Sequence, residues 1–127
     1  MPDDAGHSAK DTTLARLGPF LFEIAMDAVF VVDVEADRIL DANPRAAELL
    51  GYSREELREL SMSDIRPHEM EALQQFAAGV FADGTGWTDG LSCRRKAGDF
   101  VDAEIAATTF DMDGRTYLLG MVRDVSG

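Results

Sequence analysis

The sequence predicts an α+β domain, one antiparallel β-sheet with short helices on one face. Three observations carry that reading. Runs with strand character lie towards both ends of the chain, at 28–42 and 87–125, while helical spacing and cap residues fill the stretch between. Tight turns join the strand-like runs, at Glu35-Ala36-Asp37, Lys96-Ala97-Gly98-Asp99 and Met112-Asp113-Gly114, as antiparallel neighbours require. The 127 residues suffice for one domain with an ordinary core, and no internal repeat or linker divides them.

Residues 1–13 are polar and without periodicity, which predicts a mobile tail. Leu14, Leu17, Leu21, Ile24 and Ala25 have helical spacing broken by Gly18-Pro19, so 14–26 reads as a cap segment with a short helix from Phe20 to Met26. The domain proper is expected over 27–126. Its first strand is Ala28-Val29-Phe30-Val31-Val32-Asp33-Val34, short and β-branched, and Arg38 to Ala42 returns beside it as a hairpin.

Asn43-Pro44 then starts a helix, with Asn as N-cap and Pro at the first helical position, and Gly51 stops it. Ser53-Arg54-Glu55-Glu56 has capping-box spacing for a second helix to about Leu60, and Ser63 or Asp64 is expected to open the next segment. From Pro67 onward Met70, Leu73, Phe76, Ala77, Val80 and Phe81 trace one helical face ending at Asp83-Gly84. Trp87 to Arg95, Phe100 to Phe110 and Arg115 to Val125 complete the sheet. In the middle one, Val101, Ala103, Ile105 and Ala107 alternate with Asp102 and Glu104, the pattern of a half-buried strand.

Twelve Lys and Arg stand against 24 Asp and Glu, a net charge of −12. A surface this acidic repels phosphate backbones and anionic lipid, which argues against nucleic-acid and direct membrane partners. The start of the chain lacks an apolar signal region, and no apolar run approaches the roughly 20 residues of a membrane span, so the expected location is the cytoplasm. Cys93, the single cysteine, cannot form an internal disulfide. Only Lys10 and Lys96 are lysines. That bias fits adaptation to high salt, and it equally fits a GC-rich genome.

Four segments in register resemble the PAS domain family in its S-box form: Asp27-Ala28-Val29; Asn43-Pro44-Arg45-Ala46-Ala47-Glu48-Leu49-Leu50-Gly51-Tyr52-Ser53-Arg54-Glu55-Glu56-Leu57; Arg94-Arg95-Lys96-Ala97-Gly98; and Arg123-Asp124-Val125-Ser126. The resemblance implies a five-stranded sheet in the order 2-1-5-4-3 with helices enclosing a pocket. It further implies a sensory or dimerisation module, excised from a protein whose output is a kinase, cyclase or transcription regulator, and it implies a homodimer. LOV-type flavin chemistry in this family needs a reactive cysteine in a helical motif, whereas Cys93 falls on an expected strand. Haem-binding relatives place an axial histidine near what is Asp83 here, and the histidines are His7 and His68. Both cofactors are therefore disfavoured, and the cofactor is left unassigned.

No nucleophile elbow, phosphate loop or zinc-protease helix occurs, so no enzyme is expected. Asp102 and Glu104 read as the solvent face of a strand and Asp111 and Asp113 as turn residues, so no metal is expected either. The candidate pocket lining is Phe30, Val32, Met62, Ile65, Leu73, Phe76, Leu91, Cys93, Val101, Ala103, Leu119 and Met121. Small residues at Ala77, Ala103, Ala107 and Gly120 either let the helices close in or leave room for a small apolar or aromatic ligand. Trp87 is a candidate for stacking on a non-covalent flavin near the pocket mouth. Asn43 is expected to hold the first helix to the hairpin. In the family the residue matching Asp124 often pairs with a base near the preceding turn, here Arg95 or Lys96, which offers a route for signalling. Two functions follow: a ligand-responsive sensory module, or a ligand-free dimerisation module using Leu14, Leu17, Phe20 and Leu21.

Overall fold

The computed structural model describes residues 21–66 and 69–125. The expected tail, the first part of the cap segment, His68 and Ser126 lie outside the described residues. Five strands form one antiparallel sheet: β1 (Ala28–Asp33), β2 (Arg38–Ala42), β3 (Thr85–Arg94), β4 (Phe100–Met112) and β5 (Arg115–Asp124). Their spatial order is β2-β1-β5-β4-β3, as the family resemblance implies. Between β2 and β3 lie α1 (Pro44–Leu50), α2 (Arg54–Arg58), α3 (Met62–Ile65) and α4 (Met70–Asp83). Residues 21–24 form a helical turn with Leu21 and Ile24 exposed.

The caps are those the residue types dictate, with one correction. Asn43 is extended and accepts the Ala46 N–H, and Gly51 closes α1 in the left-handed region at φ 81°. Ser53 and Glu56 complete a capping box on α2. The opening of α3 is Ser61, not Ser63 or Asp64: Ser61 Oγ accepts the Asp64 N–H and the Asp64 carboxylate accepts the Ser61 N–H. Ser63 sits inside the helix and donates its hydroxyl to Asp37 Oδ2 at 2.7 Å. Asp113 and Gly114, at φ 54° and 79°, make the β4–β5 turn, as an Asp-Gly pair with both residues left-handed should.

The core lies between the inner face of the sheet and the helices. Phe30 and Val32 of β1 and Val101, Ala103, Ile105 and Ala107 of β4 point into it. On α4, Ala77 and Val80 are buried but Phe81 is 40% exposed, one step off the face predicted for it. The start of β3 is held close to α4: a Cβ on Gly86 would lie 2.8 Å from Val80 Cγ2. The β3–β4 turn is tied back to the helices, with the Lys96 N–H donating to the Leu50 carbonyl at 2.8 Å and Lys96 Nζ meeting Glu56 at 2.7 Å.

Asn43 joins the two layers. Its Oδ1 accepts the Val29 and Ala46 N–H groups at 2.9 and 3.0 Å, and its Nδ2 donates to the Asp27 carbonyl at 3.1 Å. The residue is fully buried, so removing the side chain strands donors that water cannot reach. Asn43→Ala is expected to lower stability by about 2–4 kcal/mol in urea denaturation. Asn43→Asp, which keeps the acceptor, should cost less.

Acid sensitivity follows from two carboxylates. The Lys96 hydrogen bond and the Ser53 N–H hold Glu56 below its ordinary 4.5. Burial raises Asp41, but the Ala42 N–H and the Arg58 and Arg54 guanidinium groups outweigh it and hold the carboxyl below 3.8. Both ionise more readily folded than unfolded, so their contribution is complete above those ordinary values and is lost as pH falls through the depressed ones. Melting temperature should fall as pH drops below about 4.5. Lys96→Met should reduce the Glu56 share of that slope, leaving the part due to Ser53.

Candidate ligand cavity

A cavity of about 290 Å³ lies between the inner face of the sheet and helices α3 and α4. Alternation on β5 is decisive for its floor. Leu118, Gly120 and Val122 point inward and line it, so Leu119 and Met121 point to the other face of the sheet. This corrects the expected lining at both positions. Period-two geometry turns a one-residue error in phase into the wrong face for the whole strand.

Phe30, Val32, Met62, Ile65, Leu73, Phe76 and Cys93 line the cavity. Leu91, Val101 and Ala103 are buried, but their side chains belong to the packed core beyond its wall. Among the small residues, Ala77, Ala107 and Gly120 face the open volume and Ala103 does not. Phe30, Gly120 and Ala107 are partners in one cross-strand row. A Cβ on Gly120 would meet no atom within 4 Å.

Glu35, Asp37, Arg66 and Gln74 are the polar members of the lining. Asp37, left-handed at φ 52°, turns its carboxylate onto α3, where it accepts the Met62 N–H at 2.9 Å and the Ser63 hydroxyl. Arg66, directly after α3, is 3% exposed and lines the cavity. Its Nη2 donates to Cys93 Sγ at 3.0 Å, and its Nε has no hydrogen-bond partner. Burial pushes the Cys93 thiol up, against the opposing pull of Arg66, so the sulfur is held as a neutral thiol. Glu69 accepts both the Ser92 N–H and the Ser92 hydroxyl. Sequence reasoning missed Arg66 because nothing in Ile65-Arg66-Pro67 distinguishes a buried arginine from an exposed one.

Other expected residues lie elsewhere. Trp87 is on the outer face of the sheet, 57% exposed, and donates Nε1–H to Glu104 at 2.8 Å, so it is not at the cavity mouth. Arg95 pairs with Asp99 and Lys96 with Glu56. Asp124 ends β5 opposite Ala103. No group of three or more His, Cys, Asp or Glu side chains gathers as a metal site among the described residues. No helix among them is long and apolar enough to cross a membrane.

The family model for the PAS domain matches residues 26–127. The chain belongs to the PAS domain family. As a PAS domain it is a sensory and regulatory module of signalling proteins and is not itself catalytic. The oxygen sensor protein DosP of Escherichia coli K12 is 31% identical over a 113-residue alignment that covers 85% of this chain and 14% of that relative. The PAS domain of a protein from Colwellia psychrerythraea superposes with a TM-score of 0.79 at 20% identity, covering 89% of this chain and 98% of that one. The PAS domain of a LuxR-family transcriptional regulator from Burkholderia thailandensis, solved in complex with ethanol, gives a TM-score of 0.72 at 18% identity over 86% and 97% of the two chains. At those identities the structural likenesses establish the fold.

The thiol of this PAS domain should be unreactive while it is folded, because a buried, protonated cysteine is a poor nucleophile. Labelling of Cys93 by a thiol reagent is expected to track unfolding in guanidinium. Rapid labelling of the native protein would show the thiol end of the cavity to be open to solvent.

Proposed function

We propose that this domain senses a small, largely apolar ligand held in the cavity, and relays its occupancy along β5 to a C-terminal output domain. The observation that carries the reading is the open volume maintained by Gly120, Ala77 and Ala107, where larger side chains would have completed the core. At about 290 Å³ the cavity is at the lower end of the range for small-molecule sites. The ethanol complex of the Burkholderia relative supports a small occupant. Relay by β5 is supported by connectivity: the strand that floors the cavity at Gly120 and Val122 is the last of the sheet and runs on to Asp124. The bias such a ligand imposes is bounded by its differential affinity for the two states.

Native mass spectrometry of freshly purified protein, with thermal melts of wild type and Gly120→Val, tests this. The wild type should carry or take up a small ligand. Gly120→Val should bind none and, by filling the void and relieving the backbone cost of glycine in a strand, should melt about 3–6 °C higher. A variant that melts lower and a wild type that binds nothing would show a filled core and refute the reading.

A second reading, a dimerisation module, is favoured by the outer face of the sheet. There Trp87, Ala106 and Met121 form one cross-strand row, with Trp87 and Met121 largely exposed. Such an apolar row, continued by exposed Leu21, Ile24 and Met26, suits a second copy of the chain across a twofold axis. Sedimentation over a concentration range should show a dimer that Met121→Glu dissociates, and a monomer at all concentrations would exclude this reading.

A further inference from the structure

We propose that the cavity ligand is an organic monocarboxylate with an apolar body, its carboxylate seated on the guanidinium of Arg66. This rests on the ligand-binding reading and names the chemical class. A buried guanidinium is costly unless an anion neutralises it and its donors are used. Among the described residues Arg66 meets neither condition. Its Nη2 donates to the sulfur of Cys93, a weak acceptor, and its Nε has no partner among them. Among the described residues it has no ion-pair partner, although Arg45, Arg54, Arg58, Arg95, Arg115 and Arg123 all have one.

Two nearby carboxylates are committed elsewhere. Glu69, three residues further along, is held by Ser92 on β3, and Asp37 is fixed to the start of α3. Arg66 is among the residues that line the cavity, where a carboxylate can accept from the planar fork of the guanidinium. Much of the remaining wall is apolar, with Phe30, Val32, Leu73 and Phe76 facing the volume where the body of the acid would lie, and Glu35, Asp37 and Gln74 are its polar members. A dicarboxylate would bury a second charge against that wall with no cation to meet it, so one charge is the best match. The net charge of −12 repels anions at long range, but screening over about 8 Å at physiological salt confines that effect, and the buried pair escapes most of it.

The test is calorimetric titration of the whole chain with benzoate against benzamide and with butanoate against butanamide, pairs matched in shape and differing in charge. Wild type should bind each acid at least about tenfold more tightly than its amide, the scale of a charge-assisted hydrogen bond. Arg66→Met should abolish that preference while melting no lower than wild type without ligand, since it removes an unpaired buried charge. Arg66→Lys, which keeps the charge and loses the fork, should fall between.

Equal binding of acids and amides by the wild type overturns the proposal and leaves the cavity as a site for neutral molecules. A preference for acids that survives Arg66→Met also overturns it, placing the anion elsewhere. Failure of every probe to bind the wild type would remove both this proposal and the ligand-binding reading beneath it.

Discussion

The side chain of Asn43 is the joint on which the arrangement of sheet and helices depends. Its backbone N–H still donates to the Val29 carbonyl at 3.0 Å, continuing the pairing of β1 with β2 by one further residue. Its amide already belongs to the helical layer, capping α1 through Ala46. One residue therefore ends a strand, starts a helix and fixes the angle between them, with no water admitted. From that angle follow the positions of Leu50 over the core and of the β3–β4 turn, whose Lys96 N–H is anchored on the Leu50 carbonyl.

A similar economy governs the next connection. The β1–β2 turn is closed by Asp37, and the same carboxylate grips α3 through the Met62 N–H and the Ser63 hydroxyl. The hairpin and the helix that precedes Arg66 thus move as one body. Displacement of α3 by an occupant of the cavity would be felt at the edge of the sheet through Asp37 and along its centre through β5.

Where polarity alternates, the sequence was easily read. Asp102 and Glu104 between Val101, Ala103 and Ile105 set the phase of β4 without ambiguity, and the cap residues of α1 and α2 identify themselves by their hydrogen-bonding chemistry. Along β5 that information is missing. Leu118-Leu119-Gly120-Met121-Val122 is apolar throughout, because the outer face of the sheet is apolar there too, and a continuous run has no readable phase. Trp87 was misplaced for a related reason: counting in twos from the buried Cys93 puts it on the inner face, and the register shift between Thr88 and Leu91 turns it to the outer one. The α3 start was obscured by three candidate caps within four residues, Ser61, Ser63 and Asp64. Arg66 breaks the rule that charges stay outside, and a departure of that kind from local expectation is where a site is to be sought.

The floor of the cavity has an evolutionary corollary. Gly120 has no side chain, adopts no left-handed backbone and has open space where a Cβ would stand. Any glycine codon becomes an alanine or a valine codon by one base change, and here the added Cβ meets open space. The volume above β5 can therefore be trimmed in small steps, one carbon for alanine and three for valine, with the strand ladder and the Asn43 joint in place. Under the ligand-binding proposal, a lineage carrying this domain would exchange one small signal molecule for another through single point mutations at one position, with the rest of the scaffold inherited intact.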